Sequence, residues 1–313
     1  MIPLKLDLPL FASDFKINYK DKLLFVGSCF SENIGHYLSD NYFDVQVNPF
    51  GILYQPLAIF NCMDRLINQT EFGEKDLVFH QNLWYSWEHH GRFSHYDKNI
   101  CLEQINQQIK NGHEQLKQTK YLLLTFGTSI VYELLDENRI VANCHKVPNT
   151  QFKKYFLSLE TIQKSFADFY YQLKIFNPEI KIICTISPVR HWRDGLVENN
   201  KSKSRLIHCV HEWTANYDDV FYFPAYELII DDLRDYRFFE RDLCHPNQLG
   251  IDYVIEYFQK MYLDDQSKEY LKKVIAYLKL KNHRPQFENN KHKNKIEFLK
   301  IELEKVYQIS IKK

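Results

Sequence analysis

Two short stretches of this chain carry side chains whose types and spacing suit covalent chemistry. The first is Gly27-Ser28-Cys29-Phe30-Ser31, directly after the apolar run Leu23-Leu24-Phe25-Val26. A hydroxyl or thiol at such a turn is a candidate nucleophile, and a thiol with a pKa of about 8.5 is already a few per cent thiolate at neutral pH. The second is Asp242-Leu243-Cys244-His245. On a turn, this spacing lets the carboxylate accept one imidazole N–H, so the other ring nitrogen can take a proton from a nucleophile. Each stretch also has a plain structural reading. Free cysteine is among the most buried residue types, and Asp-x-x-His recurs by chance.

Four more polar clusters are candidate pocket walls. Residues 84–95 crowd rings, imidazoles and a guanidinium, including His90 and Arg92. The others are Asn143-Cys144-His145-Lys146, Ser187-Pro188-Val189-Arg190-His191, and residues 199–203 with Asn199 and Lys203. Arg92, Lys146, Arg190 and Lys203 are candidates for holding an anionic handle on a substrate, such as a phosphate or carboxylate. The alternative readings are an aromatic surface insertion, solvated loops and ordinary surface charges. No metal centre is expected, because the histidines lack ligand spacing and no thiol or carboxylate pair accompanies them.

The elements that must position these residues follow from periodicity. Short apolar runs at 23–26, 121–126, 181–186 and 220–223 suit buried parallel strands, covered on both faces. Helical spacing is predicted from Ser31 onward, over 55–68, 102–119 and 161–177, from the 199–203 loop to about 217, and over 248–262. Residues 130–135 and 139–142 read as a hairpin across Asp136-Glu137-Asn138. Alternating helices and strands imply right-handed crossovers in a three-layer α/β/α sandwich with a mainly parallel sheet. Ser28 and Cys29 would then lie between the end of a strand and the start of a helix. There, free amides and a partial positive charge are expected to make a thiol easier to ionise.

Bulk properties remove several classes. Forty basic and forty acidic residues in 313 give no net charge, and so no case for general nucleic-acid or membrane-surface binding. Seven scattered cysteines without a Cys-x-x-Cys pair do not form a disulfide framework. The opening residues 1–7 lack a basic start and apolar run, and residues 1–20 read as an irregular arm. A reduced, cytoplasmic protein without cofactors is the expectation. Beyond residue 264 the composition turns to lysine, asparagine and glutamine, with helices expected over 266–280 and 293–306. The division is a domain of 1–264 and a helical extension of 265–313 that could serve as an oligomer contact.

The order of motifs is more specific than any one of them. A glycine-led turn after the first strand, Gly51 in a loop, Gly127 after a middle strand and Asp242-x-x-His245 near the end resemble the four blocks of the SGNH (GDSL-type) hydrolase superfamily. Within it, Gly27-Ser28-Cys29-Phe30 resembles the signature of the GSCFA-domain family, as do the stretches 90–94, 143–146, 187–191, 199–203 and 242–246. The resemblance implies an acyl hydrolase or acyltransferase acting on a small or glycan-linked ester, with acyl-coenzyme A as a possible donor. It places Cys29 at the nucleophile position, or Ser28 if the turn is shifted by one residue. It makes His245 the base and then the acid, Asp242 its orienter, and Cys29, Gly51, Gly127 and Ser129 the oxyanion hole. Two departures stand out: Ser28 replaces the usual aspartate, and Ser129 the usual asparagine. They leave open a catalytically silent module that keeps the pocket for a ligand, and a redox-active thiol protein with Cys144 or Cys244 as the resolving partner.

Overall fold

The computed structural model describes residues 8–9, 13–283 and 290–308, and the reading of residues 1–7 lies outside them. Five strands form the central sheet: β1 (Leu23–Gly27), β2 (Val45–Val47), β5 (Tyr121–Phe126), β9 (Lys181–Ile186) and β10 (Val220–Phe223). Their order is β10-β9-β5-β1-β2 and every pairing is parallel. The chain therefore starts in mid-sheet, adds one strand on one side and then builds outward on the other. This leaves a crevice beyond the carboxyl ends of β1 and β5, where the strand order reverses.

The period of two along each strand divides the core into two layers. Leu24 and Val26 of β1, with Leu122 and Leu124 of β5, pack under α2 (Pro56–Asn68), α3 (Lys98–Gln118), α4 (Leu159–Phe176) and α5 (Leu196–Asn216). Leu23, Phe25, Tyr121 and Leu123 point the other way, onto α1 (Cys29–Asp40) and α7 (Gln248–Tyr262), which lies beyond the short turn α6 (Ala225–Glu227). Further on, α8 (Asp265–Asn282) buries Tyr270, Leu271, Val274 and Tyr277 in the same layer, where Tyr270 stacks on Tyr19 at 4.4 Å. The final helix, α9 (Asn290–Val306), adds Leu303. The predicted α/β sandwich is the observed one. The residues expected to form an extension contribute to its second core layer.

Two small antiparallel sheets lie outside the sandwich. One is the hairpin of β3 (Leu77–His80) and β4 (Leu83–Ser86). In the other, β6 (Ile130–Leu134) sits between β7 (Arg139–Val141) and β8 (Phe152–Phe156). The β6-β7 hairpin was legible in the sequence, but β3, β4 and β8 were not. In β8, Lys153 and Lys154 are exposed between Phe152 and the half-buried Tyr155, so the run has too little apolar alternation to stand out. Among the described residues, no helix is long and apolar enough to cross a membrane.

Candidate functional site

The turn after β1 is built by Gly27, whose φ of +141° disfavours any L side chain. A Cβ there would lie 2.2 Å from the Thr125 carbonyl oxygen. That oxygen accepts the Ser28 N–H at 3.1 Å. Ser28 is the N-cap of α1, its Oγ accepting from the Phe30 N–H at 3.3 Å. The helix thus begins at Cys29, two residues before the expected start, because Ser28, directly after Gly27, fills the capping role. Ser28 is buried and its hydroxyl is used in the cap, whereas Cys29 is half-buried at the first helical position.

The expectation of an easily ionised thiol is corrected. Burial and then the Glu32 carboxylate push the Cys29 thiol up from its ordinary value. These outweigh Lys203 and the backbone N–H groups of Cys29 and Phe30, which act the other way. Glu32 stands in the same first turn of α1.

Glu32 is also the centre of a polar strut. Its Oε1 accepts from Asn48 Nδ2 at 3.2 Å and pairs with Arg92 Nη1 at 3.1 Å. Asn48 Oδ1 in turn accepts the Gly27 N–H at 2.8 Å, and the Asn48 carbonyl takes Arg92 Nη2. Arg92 is therefore held in the scaffold rather than free for a substrate anion. Gly51 has φ +78°, and a Cβ there would lie 2.3 Å from His90 Cβ, so this glycine exists for close packing. Its N–H donates to the Asn48 carbonyl at 2.8 Å and is already engaged, contrary to the oxyanion role the resemblance implies. His90 is half-buried and caps a short turn through the Arg92 N–H at 3.4 Å.

At the ends of β5 and β9 the polar face of α5 takes over. Asn199, Ser202 and Lys203 share one buried face at helical spacing. Asn199 Oδ1 accepts the His191 N–H at 3.0 Å. Ser202 Oγ accepts the Ser129 N–H at 2.7 Å, and the Ser129 hydroxyl donates to Ser202 at 3.3 Å. Ser129 is fully buried, so its hydroxyl belongs to this seam. The Gly127 N–H goes to the Tyr54 carbonyl at 2.7 Å. Lys203 is buried rather than presented to a substrate, with Nζ 2.6 Å from both the Gly127 and Ser187 carbonyl oxygens. Ser202 escaped the sequence reading, although its i+3 spacing from Asn199 is the signal that could have found it.

The open side is formed by Tyr54, His191 and the Asp242–His245 pair. His191 meets the Tyr54 ring edge-on at 5.7 Å. Its pKa falls to about 4, through burial first and then the Lys203 charge. Asp194 and the Gly127 backbone oppose this, while His245 adds to it. Burial, Cys29 and Glu32 push the Tyr54 phenol up to about 12. His245 Nδ1 is 2.6 Å from Asp242 Oδ2, and Asp242 Oδ1 accepts the Cys244 and His245 N–H groups at 2.9 and 3.0 Å. Those two backbone N–H groups, ahead of the His245 ring, draw the carboxyl down to about 2. Both side chains are half exposed. Arg190 lies within electrostatic reach of Cys244 and Tyr226, and its buried Nε meets no acceptor among the described residues.

The remaining candidates lie behind this surface. His145 stacks on Tyr85 at 3.9 Å with Nε2 3.0 Å from the Ser86 carbonyl, and burial pulls its pKa to about 4. Asn143 Oδ1 caps the His145 N–H at 2.9 Å, and Lys146 is exposed beside it with φ +62°. This segment buttresses the loop of His89 and His90 rather than lining the thiol's surroundings.

A family model described as the GSCFA family matches residues 22–258. No curated protein matches the chain. Among solved structures, a carbohydrate esterase of family 3 from Talaromyces cellulolyticus is 8% identical with a TM-score of 0.37, the alignment covering 82% of this chain and 99% of that one. The periplasmic domain of a lipopolysaccharide acetyltransferase from Salmonella ser. Paratyphi A is 11% identical at a TM-score of 0.34, covering 78% and 84%. An acetyl xylan esterase, Est2A, from the rumen bacterium Butyrivibrio proteoclasticus is 13% identical at 0.32, covering 78% and 64%. All three likenesses are distant.

Proposed function

This chain belongs to the GSCFA family, and from that premise we propose that it is an acyl hydrolase or acyltransferase working through Cys29 on a small or glycan-linked ester. One observation carries the reading. The half-buried thiol at the first position of α1 follows the carboxyl end of β1, and a half-exposed His245 is held by Asp242 at 2.6 Å.

In this reading the Cys29 thiolate attacks the ester carbonyl, a C–S bond forms and the C–O bond to the leaving alkoxide breaks. His245, oriented by Asp242, hands a proton to that alkoxide and later takes one from water or a sugar hydroxyl, which receives the acyl group. The Cys29 N–H, which as the first of its helix has no intrahelical acceptor, donates to the oxyanion. The Tyr54 phenol, kept protonated beside the thiol, is a second donor. It stands in for the N–H groups of Gly51 and Gly127 and the Ser129 hydroxyl, which are engaged elsewhere. Those engaged donors are also what favours the second reading, a ligand-binding module without turnover.

The test is intact-protein mass spectrometry after brief exposure to activated acyl esters and to acyl-coenzyme A. Wild type should gain one acyl mass, Cys29→Ser should lose it, Ser28→Ala should keep it, and His245→Ala should form and release it slowly. Loss with Ser28→Ala alone would move the nucleophile to the serine. No adduct and no turnover with any donor would favour the binding module.

A further inference from the structure

Of the cations that the sequence offers to a substrate anion, the fold uses two for itself. Arg92 is spent on Glu32 and the Asn48 carbonyl, and Lys203 on the Gly127 and Ser187 carbonyls. Lys146 stands exposed on the segment whose His145 ring stacks on Tyr85. Arg190 differs from all three. It is half-buried, its Nε is enclosed, and no atom of its guanidinium meets an acceptor or a carboxylate among the described residues.

Other half-buried arginines show what the fold does with such a group. Arg65 and Arg139 both hold the Glu88 carboxylate, at 2.7 and 2.9 Å, and Arg205 donates to the Lys201 carbonyl at 2.9 Å and covers the Phe156 ring. A guanidinium keeps its charge, and taking it partly out of water without a partner is unfavourable. An enclosed N–H that lacks an acceptor is therefore a position for a ligand atom to complete.

Hydrogen bonds fix where Arg190 stands. The Ser187 N–H donates to the Phe126 carbonyl at 2.9 Å, tying the end of β9 to the end of β5. The Ser187 hydroxyl accepts the Val189 N–H at 3.3 Å. On the other side, His191 gives its N–H to Asn199 and sets its ring edge-on to Tyr54. The backbone before and after Arg190 is thus anchored at the crevice beyond the sheet. Cys244 and Tyr226 lie within electrostatic reach of the guanidinium, but burial pushes both up, so neither supplies an anion.

We propose that Arg190 is an anion-binding residue of this crevice, and that the ester taken there carries a carboxylate or phosphate on its alcohol side. The side follows from Cys244, which directly precedes the residue that serves the leaving alkoxide. Carboxylate and phosphate share what a guanidinium reads, two oxygens that accept parallel N–H groups, and Nε with one Nη forms such a pair. This rests on the acyl-transfer reading of Cys29 and His245 and deepens it by naming the substrate class.

The test uses acetyl esters that differ in one substituent of the leaving phenol: 4-nitrophenyl acetate, 4-acetoxybenzoate and 4-acetoxyphenyl phosphate. In Arg190→Gln, KM should rise about tenfold or more for one or both anionic esters and stay within about twofold for the nitro ester, whose kcat should not change. The anionic ester that responds tells carboxylate from phosphate. Equal changes for all three esters, or none, overturn the proposal. Because Arg190 has no acceptor within the described chain, its removal should not lower the urea midpoint, and a lower midpoint would reveal a partner inside the fold and count against the site. Binding is read apart from turnover. Isothermal titration of 4-hydroxybenzoate and 4-hydroxyphenyl phosphate into Cys29→Ala should detect one of them, and adding Arg190→Gln should abolish it. If neither phenol binds, or binding survives Arg190→Gln, the anion site is refuted. Binding that depends on Arg190, with no turnover of any ester, leaves the anion site standing and sinks the acyl-transfer reading.

Discussion

Gly27→Ala is the substitution for which the structure gives the sharpest expectation. The new Cβ would lie 2.2 Å from the Thr125 carbonyl oxygen, 2.8 Å from its nitrogen and 2.9 Å from its carbonyl carbon. All three are backbone atoms of the neighbouring strand, so no side chain can swing aside and β1 must part from β5. The φ of +141° adds backbone strain for any residue with a Cβ. Strain of about 1–3 kcal/mol and overpacking of about 1–3 kcal/mol give a loss of about 2–6 kcal/mol. The same carbonyl holds the Ser28 N–H, and the Gly27 N–H and carbonyl are tied to Asn48 and Leu53, so the displacement also moves Cys29. Urea unfolding of the variant should show a lower midpoint at unchanged slope, and Cys29 alkylation should change with it. Gly91→Ala is the control, since nothing lies within 4 Å of the methyl group it would add and the effect should stay within about 0.5 kcal/mol. A Gly27→Ala protein within about 1 kcal/mol of wild type would refute the reasoning.

Three further outcomes are expected. His145, held neutral down to about pH 4 against 6.5 in the unfolded chain, leaves the unfolded state binding the extra proton between those values. Stability should therefore fall as pH drops from 6.5 toward 4, by at most about 3 kcal/mol from this residue, and His145→Gln should flatten that slope in urea titrations at several pH values. Glu32→Gln removes the carboxylate that opposes the Cys29 thiolate, so alkylation should quicken a few-fold near pH 8; a slower reaction would contradict the charge assignment. Asp242→Asn takes the anion from His245 Nδ1 on an exposed loop and should slow release of the acyl group about a hundredfold without lowering the melting temperature, readable by stopped adduct decay.

What the chain's own spacing could decide was local. The apolar runs ending in Gly27 and Phe126 announce buried strands because an unbroken run buried on both faces is a property of four to six neighbouring residues. The Asp242–His245 pair is legible for the same reason, since three residues on a turn suffice to bring carboxylate and ring together. Helix starts were less so: Ser28 is a recognisable cap only once the turn at Gly27 is known.

The tertiary structure decided everything that depends on distance along the chain or on burial. Lys203 meets Gly127 across 76 positions, and Arg92 meets Glu32 across 60, separations that only the strand order and crossovers can close. Residue type marks Lys203 as a surface charge and Ser129 as a free hydroxyl, yet the packing of α5 against the strand ends buries both. The sign of the Cys29 shift shows the division most clearly. A helix N-terminus favours a thiolate and could be foreseen, but desolvation and the Glu32 carboxylate outweigh it, and both exist only when the fold closes over the turn.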